Sequence, residues 1–137
     1  MDFRFTDDQL AIQDAARRIA RERIAPVAAE FDRLGEFPVE TMKVLGENGM
    51  MGIEVPHEYG GAGMDAIAYV LAMIEIAAAD CAHSTIMSVN NTLYCNGLLK
   101  NGTHEQCLRF VTPIATGAAA ARAMRGPGAA RGARRAR

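Results

Sequence analysis

The stretch from Gly35 to Asp65, GEFPVETMKVLGENGMMGIEVPHEYGGAGMD, restricts the fold more than any other part of the chain. Pro38 suits the first turn of a helix, where its missing N–H is not needed and its φ is already set. Val39, Met42, Val44 and Leu45 follow at spacings that one buried helical face would use. Asn48 and Gly49 tolerate the left-handed backbone that closes many helices, so a stop is expected there. An apolar stretch from Met50 to Val55 leads through Pro56 to Tyr59-Gly60-Gly61-Ala62-Gly63. Three glycines in four positions imply a backbone bending tightly or through positive φ against a close neighbour. A second helical pattern opens at Asp65.

Helical signals continue on both sides. Thr6 and Gln9 form a T-x-x-Q capping box, with Phe5 and Leu10 at the staple positions and Asp7 and Asp8 at the positive end of the helix dipole. Ile12, Ala15, Ala16 and Ile19 mark the inner face. Pro26 is expected to interrupt the helix at Ile24-Ala25 and to start a short second one through about Asp32. Residues 65–79 are almost wholly apolar, which predicts a central helix buried on most sides. Residues 80–83 read as a connection and Ser84 as a cap. The next helix is expected over 85–100, where Ile86, Val89, Leu93 and Leu98 alternate with Ser88, Asn90, Asn91, Thr92 and Asn96. That mixture fits a partly open face, with a lined pocket as the alternative. Asn101-Gly102 closes it, and a second T-x-x-Q box (Thr103, Gln106) opens a final helix carrying Leu108, Val111 and Ile114, ended by Gly117. The expected fold is all-α, an up-and-down bundle of about six helices over residues 1–117, followed by a disordered basic tail over 118–137.

Half of the residues are apolar, 6% are aromatic and none is Trp, a balance that suits packed helices better than a β-sandwich. At 137 residues one modest core is expected. No apolar run approaches the ~18–20 residues of a membrane span, and the N-terminus lacks the order of a secretory signal. Cys81, Cys95 and Cys107 show neither metal-ligand nor CxxC spacing, so reduced thiols and a cytoplasmic location are expected.

Few residues offer chemistry by pattern alone. Glu75 is the one acid in the apolar 65–79 segment; it is either a carboxylate with a raised pKa or, the favoured reading, the partner of Arg17, Arg21 or Arg23 on a neighbouring helix. His57, His83 and His104 each sit beside a turn or helix start and read as surface residues. The glycine-rich turn lacks the Lys and Ser/Thr of a phosphate-binding loop, so a packing turn is expected.

Asp32-Arg33, Gly35-Glu36-Phe37-Pro38, Leu45, Gly49, Gly52-Ile53, Val55-Pro56, Glu58-Tyr59-Gly60-Gly61, Gly63 and Asp65, in this order and spacing, resemble the N-terminal helical domain of the acyl-CoA dehydrogenases. Asn91-x-Leu93 and Gly102-x-x-Glu105-Gln106 extend the likeness, which runs from about Phe5 to Gly117. The resemblance implies α,β-dehydrogenation of acyl-CoA thioesters with FAD, an electron-transfer flavoprotein as acceptor, and a homo-oligomer. It also implies that the flavin cradle and the catalytic glutamate belong to later domains, so that no catalytic or cofactor-binding residue is assigned here and this chain alone is expected to be inactive. The N-terminal domain of such enzymes contributes part of the wall around the acyl tail. Carried onto this sequence, that wall is Val89, Asn90, Leu93 and Tyr94. Many members have glycine where Tyr94 stands, so an inward Tyr94 would shorten the acyl pocket.

All sixteen acidic residues lie in residues 1–117, whereas the last twenty hold six Arg, no acid and mostly Ala and Gly. Nineteen of these twenty residues are Ala, Arg, Gly or Pro, which have codons beginning with two G or C bases, and that is what out-of-frame translation of GC-rich DNA produces. A frameshifted or truncated product is therefore expected over an evolved arm. An arginine-rich arm on nucleic acid remains the alternative, weakened by the absence of interleaved aromatics. A non-enzymatic helical interaction domain is the other alternative.

Overall fold

Both T-x-x-Q sequences close as hydrogen-bonded capping boxes. Thr6 Oγ1 accepts from the Gln9 N–H at 3.2 Å and Gln9 Oε1 from the Thr6 N–H at 3.0 Å; Thr103 and Gln106 repeat the exchange. The computed structural model describes residues 4–117, so the expectations for residues 118–137 lie outside it. From the first cap, α1 (Asp7–Ile19) passes through a π-helical turn (Ala20–Ile24) into α2 (Ala25–Leu34). The expected interruption at Ile24-Ala25 is therefore not a break, because the backbone stays in the right-handed helical region throughout the join. Pro26 has no N–H, and its ring would press on the carbonyl of Glu22 in a regular helix. The widened turn absorbs this conflict: the Ala25 N–H donates to the Ala20 carbonyl, five residues back. α2 ends at Gly35, whose φ of 64° is left-handed.

α3 (Val39–Glu47) is entered from Pro38 and stops at Asn48-Gly49, as its sequence requires. An irregular segment then carries Met50, Met51, Ile53 and Val55 into the core. A 3₁₀ turn (His57–Tyr59) and the glycine turn follow, and Asp65 caps α4 (Ala66–Ala79) by accepting from the Ala68 N–H. The next helix begins earlier than expected: Asp80, rather than Ser84, is the cap, and α5 runs Cys81–Ser88. A second π turn (Val89–Cys95) joins α5 to α6 (Asn96–Asn101). α7 (His104–Phe110) and α8 (Thr112–Ala115) finish the described chain, with Pro113 in the first turn of α8. No strand occurs among the described residues, and the architecture is an all-α bundle.

α1 packs chiefly on α4, and α4 on α5. Ala16, Ile19, Ala20 and Ile24 meet Ala68, Ala72 and Ile76 over Met42, Leu45, Met50, Met51, Ile53 and Met87. A smaller cluster joins Val55 and Tyr59 to Cys95, Cys107, Val111, Ile114 and Ala115. Small residues set the distance between the two ends of the fold. A Cβ on Gly46 would lie 2.2 Å from the Cα of Gly117, so α3 and the end of α8 touch backbone to backbone.

The expectation for residues 65–79 needs correction. α4 buries Ala68, Leu71, Ala72 and Ile76, but Ile67, Val70 and Ile74 are 51%, 50% and 55% exposed. These three stand at i, i+3 and i+7, on one stripe of the helix. Apolar sequence all round showed that the helix had no polar face; it could not show how many neighbours cover it.

Candidate functional site

All four residues expected to line an acyl wall fall inside the second π turn, Val89–Cys95. The turn sorts them. Val89, Leu93 and Tyr94 are exposed, Leu93 at 72%, while Asn90 is buried. Val89 and Leu93 are four residues apart and share one face. The Tyr94 hydroxyl approaches the Phe110 carbonyl at 3.5 Å, which leans the ring toward the end of α7. The open row is thus Val89, Leu93 and Tyr94, and Asn90 faces the core.

The buried side of the same turn was not legible as such. Its polar mixture suggested a partly open face, and the turn has one, but on the apolar side: Val89, Leu93 and Tyr94 are outside and Asn90 and Asn91 are inside. The Asn90 amide donates to the Met51 carbonyl at 2.5 Å. The Asn91 amide donates to the carbonyls of Met50 and Met87, both at 2.9 Å, and its oxygen accepts from the Ile53 N–H at 3.0 Å. These bonds satisfy backbone groups of the irregular 50–55 segment, which sits in the core without a helix or sheet of its own. Cys95, also buried in this turn, has its thiol pushed up to about 11 by that burial.

Other candidate groups are committed to structure. Glu75 accepts from Arg17 through two hydrogen bonds, at 2.8 and 3.1 Å, and from Gln13 at 3.0 Å. The Arg17 hydrogen bond holds its carboxyl below the usual range against the opposing effect of burial, so it is the ion-pair partner expected rather than a raised-pKa base. His83 corrects the expectation of a surface histidine: it is 1% exposed, with Nδ1 on Asp80 Oδ2 and Nε2 at 2.7 Å from Thr41 Oγ1. His57 and His104 are exposed, and His104 Nδ1 meets the Tyr59 hydroxyl at 2.8 Å. No group of three or more metal-ligating side chains forms among the described residues.

The glycine turn is filled by protein. A Cβ on Gly61 would lie 2.1 Å from the Val55 carbonyl oxygen, and positions 60 and 63 press on Thr116 and His57. No phosphate cradle is left there, so this turn does not fit a flavin pyrophosphate. An open groove of about 680 Å³ between the start of α1 and the glycine turn is lined by Thr6, Gln9, Ile12, His57, Met64 and Asp65 and lies apart from the Val89–Leu93 row. No helix among the described residues is long and apolar enough to cross a membrane.

The model of the acyl-CoA dehydrogenase N-terminal domain matches residues 6–118. The short-chain specific acyl-CoA dehydrogenase of Clostridium acetobutylicum is 36% identical over 117 residues, which is 85% of this chain and 31% of that protein. Among solved structures, butyryl-CoA dehydrogenase from Megasphaera elsdenii aligns with a TM-score of 0.80 at 30% identity, over 86% of this chain and 32% of that one. A structure described as the electron transferring flavoprotein of Acidaminococcus fermentans aligns with a TM-score of 0.82 at 36% identity, over 85% and 31%. The chain spans less than a third of the length of these relatives. With a matching domain model, a matching fold and relatives that align through their N-terminal part, the chain belongs to the acyl-CoA dehydrogenase family, of which it carries the N-terminal domain.

Proposed function

We propose that this chain supplies the acyl-contacting wall of an FAD-dependent acyl-CoA dehydrogenase, and that Val89, Leu93 and Tyr94 are the residues that meet the acyl tail. The observation that carries the reading is the inversion within the second π turn. Large apolar side chains stand outside a turn that buries Asn90 and Asn91, which is the arrangement an apolar ligand or an apolar partner needs. The name of the Clostridium relative points to short acyl chains. Tyr94 supports that choice, because a ring at this position occupies volume that a longer tail would need. In such an enzyme the chemistry of dehydrogenation is the flavin's, and on this reading its cradle belongs to the enzyme's other domains. The work left to these residues is to exclude water from the tail and hold it in line. Electrons would pass to an electron-transferring flavoprotein, as the name of one structural relative suggests.

The test is a chimera in which residues 6–117 replace the matching part of the Megasphaera butyryl-CoA dehydrogenase. It is expected to bind flavin and oxidise butyryl-CoA. Tyr94→Gly in it should raise kcat/KM for longer acyl chains relative to butyryl-CoA by about tenfold per methylene accommodated, in line with pocket discrimination of roughly 1–3 kcal/mol per methylene. Unchanged ratios would remove Tyr94 from the wall. The 137-residue chain alone is expected to show helical circular dichroism and no flavin uptake. Stoichiometric FAD binding by it would overturn the assignment of the cofactor site to the rest of the enzyme. A second reading, a helical module that acts by docking, is favoured by the exposed Ile67, Val70 and Ile74 stripe, and an inactive but folded chimera would support it.

A further inference from the structure

The second π turn contains one residue more than a regular helical turn would hold, and such an insertion is unfavourable unless something holds it. Two side chains do so at its entrance. Asn91 donates to the Met87 carbonyl and Thr92 Oγ1 donates to the Ser88 carbonyl at 2.8 Å, each four residues back. Farther along, the Asn96 N–H reaches the Asn91 carbonyl, five residues back. Asn91 then extends beyond its own helix, to the Met50 carbonyl and the Ile53 N–H. It is 2% exposed, and two of its three hydrogen bonds tie the turn to a segment some forty residues earlier.

We propose that Asn91 is a positioning residue that fixes the register of the Val89–Cys95 π turn, and thereby decides that Leu93 and Tyr94, rather than their neighbours, stand on the open wall beside Val89. Loss of the extra residue from the turn would rotate everything after it by about 100°, the angle between successive residues of an α-helix. Cys95 would leave the core and the exposed row would be replaced by a different set. That the row contacts an acyl tail rests on the function proposed above; the register itself does not.

The chain carries its own reporters. Cys81 is exposed, Cys95 is buried inside the turn, and Cys107 is buried outside it in α7. Timed alkylation of the 137-residue chain with iodoacetamide, read by peptide mass spectrometry, separates a register change from general loosening. Asn91→Asp keeps the acceptor for the Ile53 N–H and removes both amide donors. It is expected to speed labelling of Cys95 about tenfold while Cys107 changes less than about twofold, the signature of local rather than global opening. Thr92→Val removes one donor at the entrance without touching residues 50–55, and is expected to speed Cys95 about threefold in the same selective way. Should Asn91→Asp open the whole fold, Thr92→Val decides. Parallel labelling of Cys95 and Cys107 in it, or an unmoved Cys95, overturns the proposal. An inactive chimera would instead refute the proposed function and leave the labelling result standing.

Discussion

At the residue scale, carboxylates do the most specific work, and each does it for the backbone or for a neighbouring helix. Glu75 pins α4 to α1 through Arg17 and Gln13, and Asp65 caps α4 while receiving the Gln9 amide at 2.7 Å. Asp80 caps α5 and meets the buried His83; burial pushes its pKa up, and the His83 side-chain and backbone hydrogen bonds outweigh that and leave it lowered. Glu75 and Asp65 are lowered too, by the Arg17 hydrogen bond and by the Ala68 N–H respectively. A carboxyl whose folded pKa lies below its unfolded value contributes stability above the unfolded value and loses it as pH falls through the folded one. Stability is therefore expected to hold from neutrality to about pH 4 and to fall below it, with the urea midpoint as the readout. Glu75→Gln should flatten that fall, since the uncharged amide has no titration to lose. Asp80→Ala should cost about 1–2 kcal/mol through the cap alone, and Asp80→Ser should recover most of the cap but not the contact with the His83 ring. Equal urea midpoints for the unsubstituted chain and Asp80→Ser would show that the His83 contact adds nothing measurable.

At the element scale, starts and stops were legible because they are local. A capping box needs two side chains three residues apart, and a left-handed stop needs a glycine, so Thr6, Gln9, Thr103, Gln106 and Gly49 could be read in place. The two π turns could not. Pro26 announced a disturbance, but whether the chain breaks or widens depends on what packs around it. The polar run after Ser88 looked like an open face because Asn90 and Asn91 have their partners at Met50, Met51 and Ile53, which no local window contains. Close approach between elements is equally non-local. Gly46 is unremarkable in a helix, yet it abuts Gly117. Gly46→Ala should raise local helix propensity and still destabilise the fold by about 1–3 kcal/mol, because the added methyl meets backbone rather than a movable side chain. Thermal unfolding checks this, and an unchanged or higher Tm would show that the contact can open without cost.

At the scale of the whole molecule, burial is one-sided. The α1–α4–α5 core is complete on one side of α4, while Ile67, Val70 and Ile74 remain open on the other, and Val89 and Leu93 remain open on the second π turn. Ile74→Lys is expected to leave the helical circular dichroism and Tm nearly unchanged, since it removes little buried area, and to lower binding of an apolar dye by about half. A large drop in Tm would mean that the stripe is covered in solution. The amino-acid sequence determined the helical class, the two capping boxes, the stop at Asn48-Gly49 and the family, because these rest on neighbours a few residues apart or on an ordered set of motif residues. Tertiary structure alone decided which face of the apolar α4 is buried, that His83 is enclosed, and that Val89, Leu93 and Tyr94 rather than Asn90 face outward. Each of those depends on a partner dozens of residues away, and hydrophobicity carries no direction until that partner is in place.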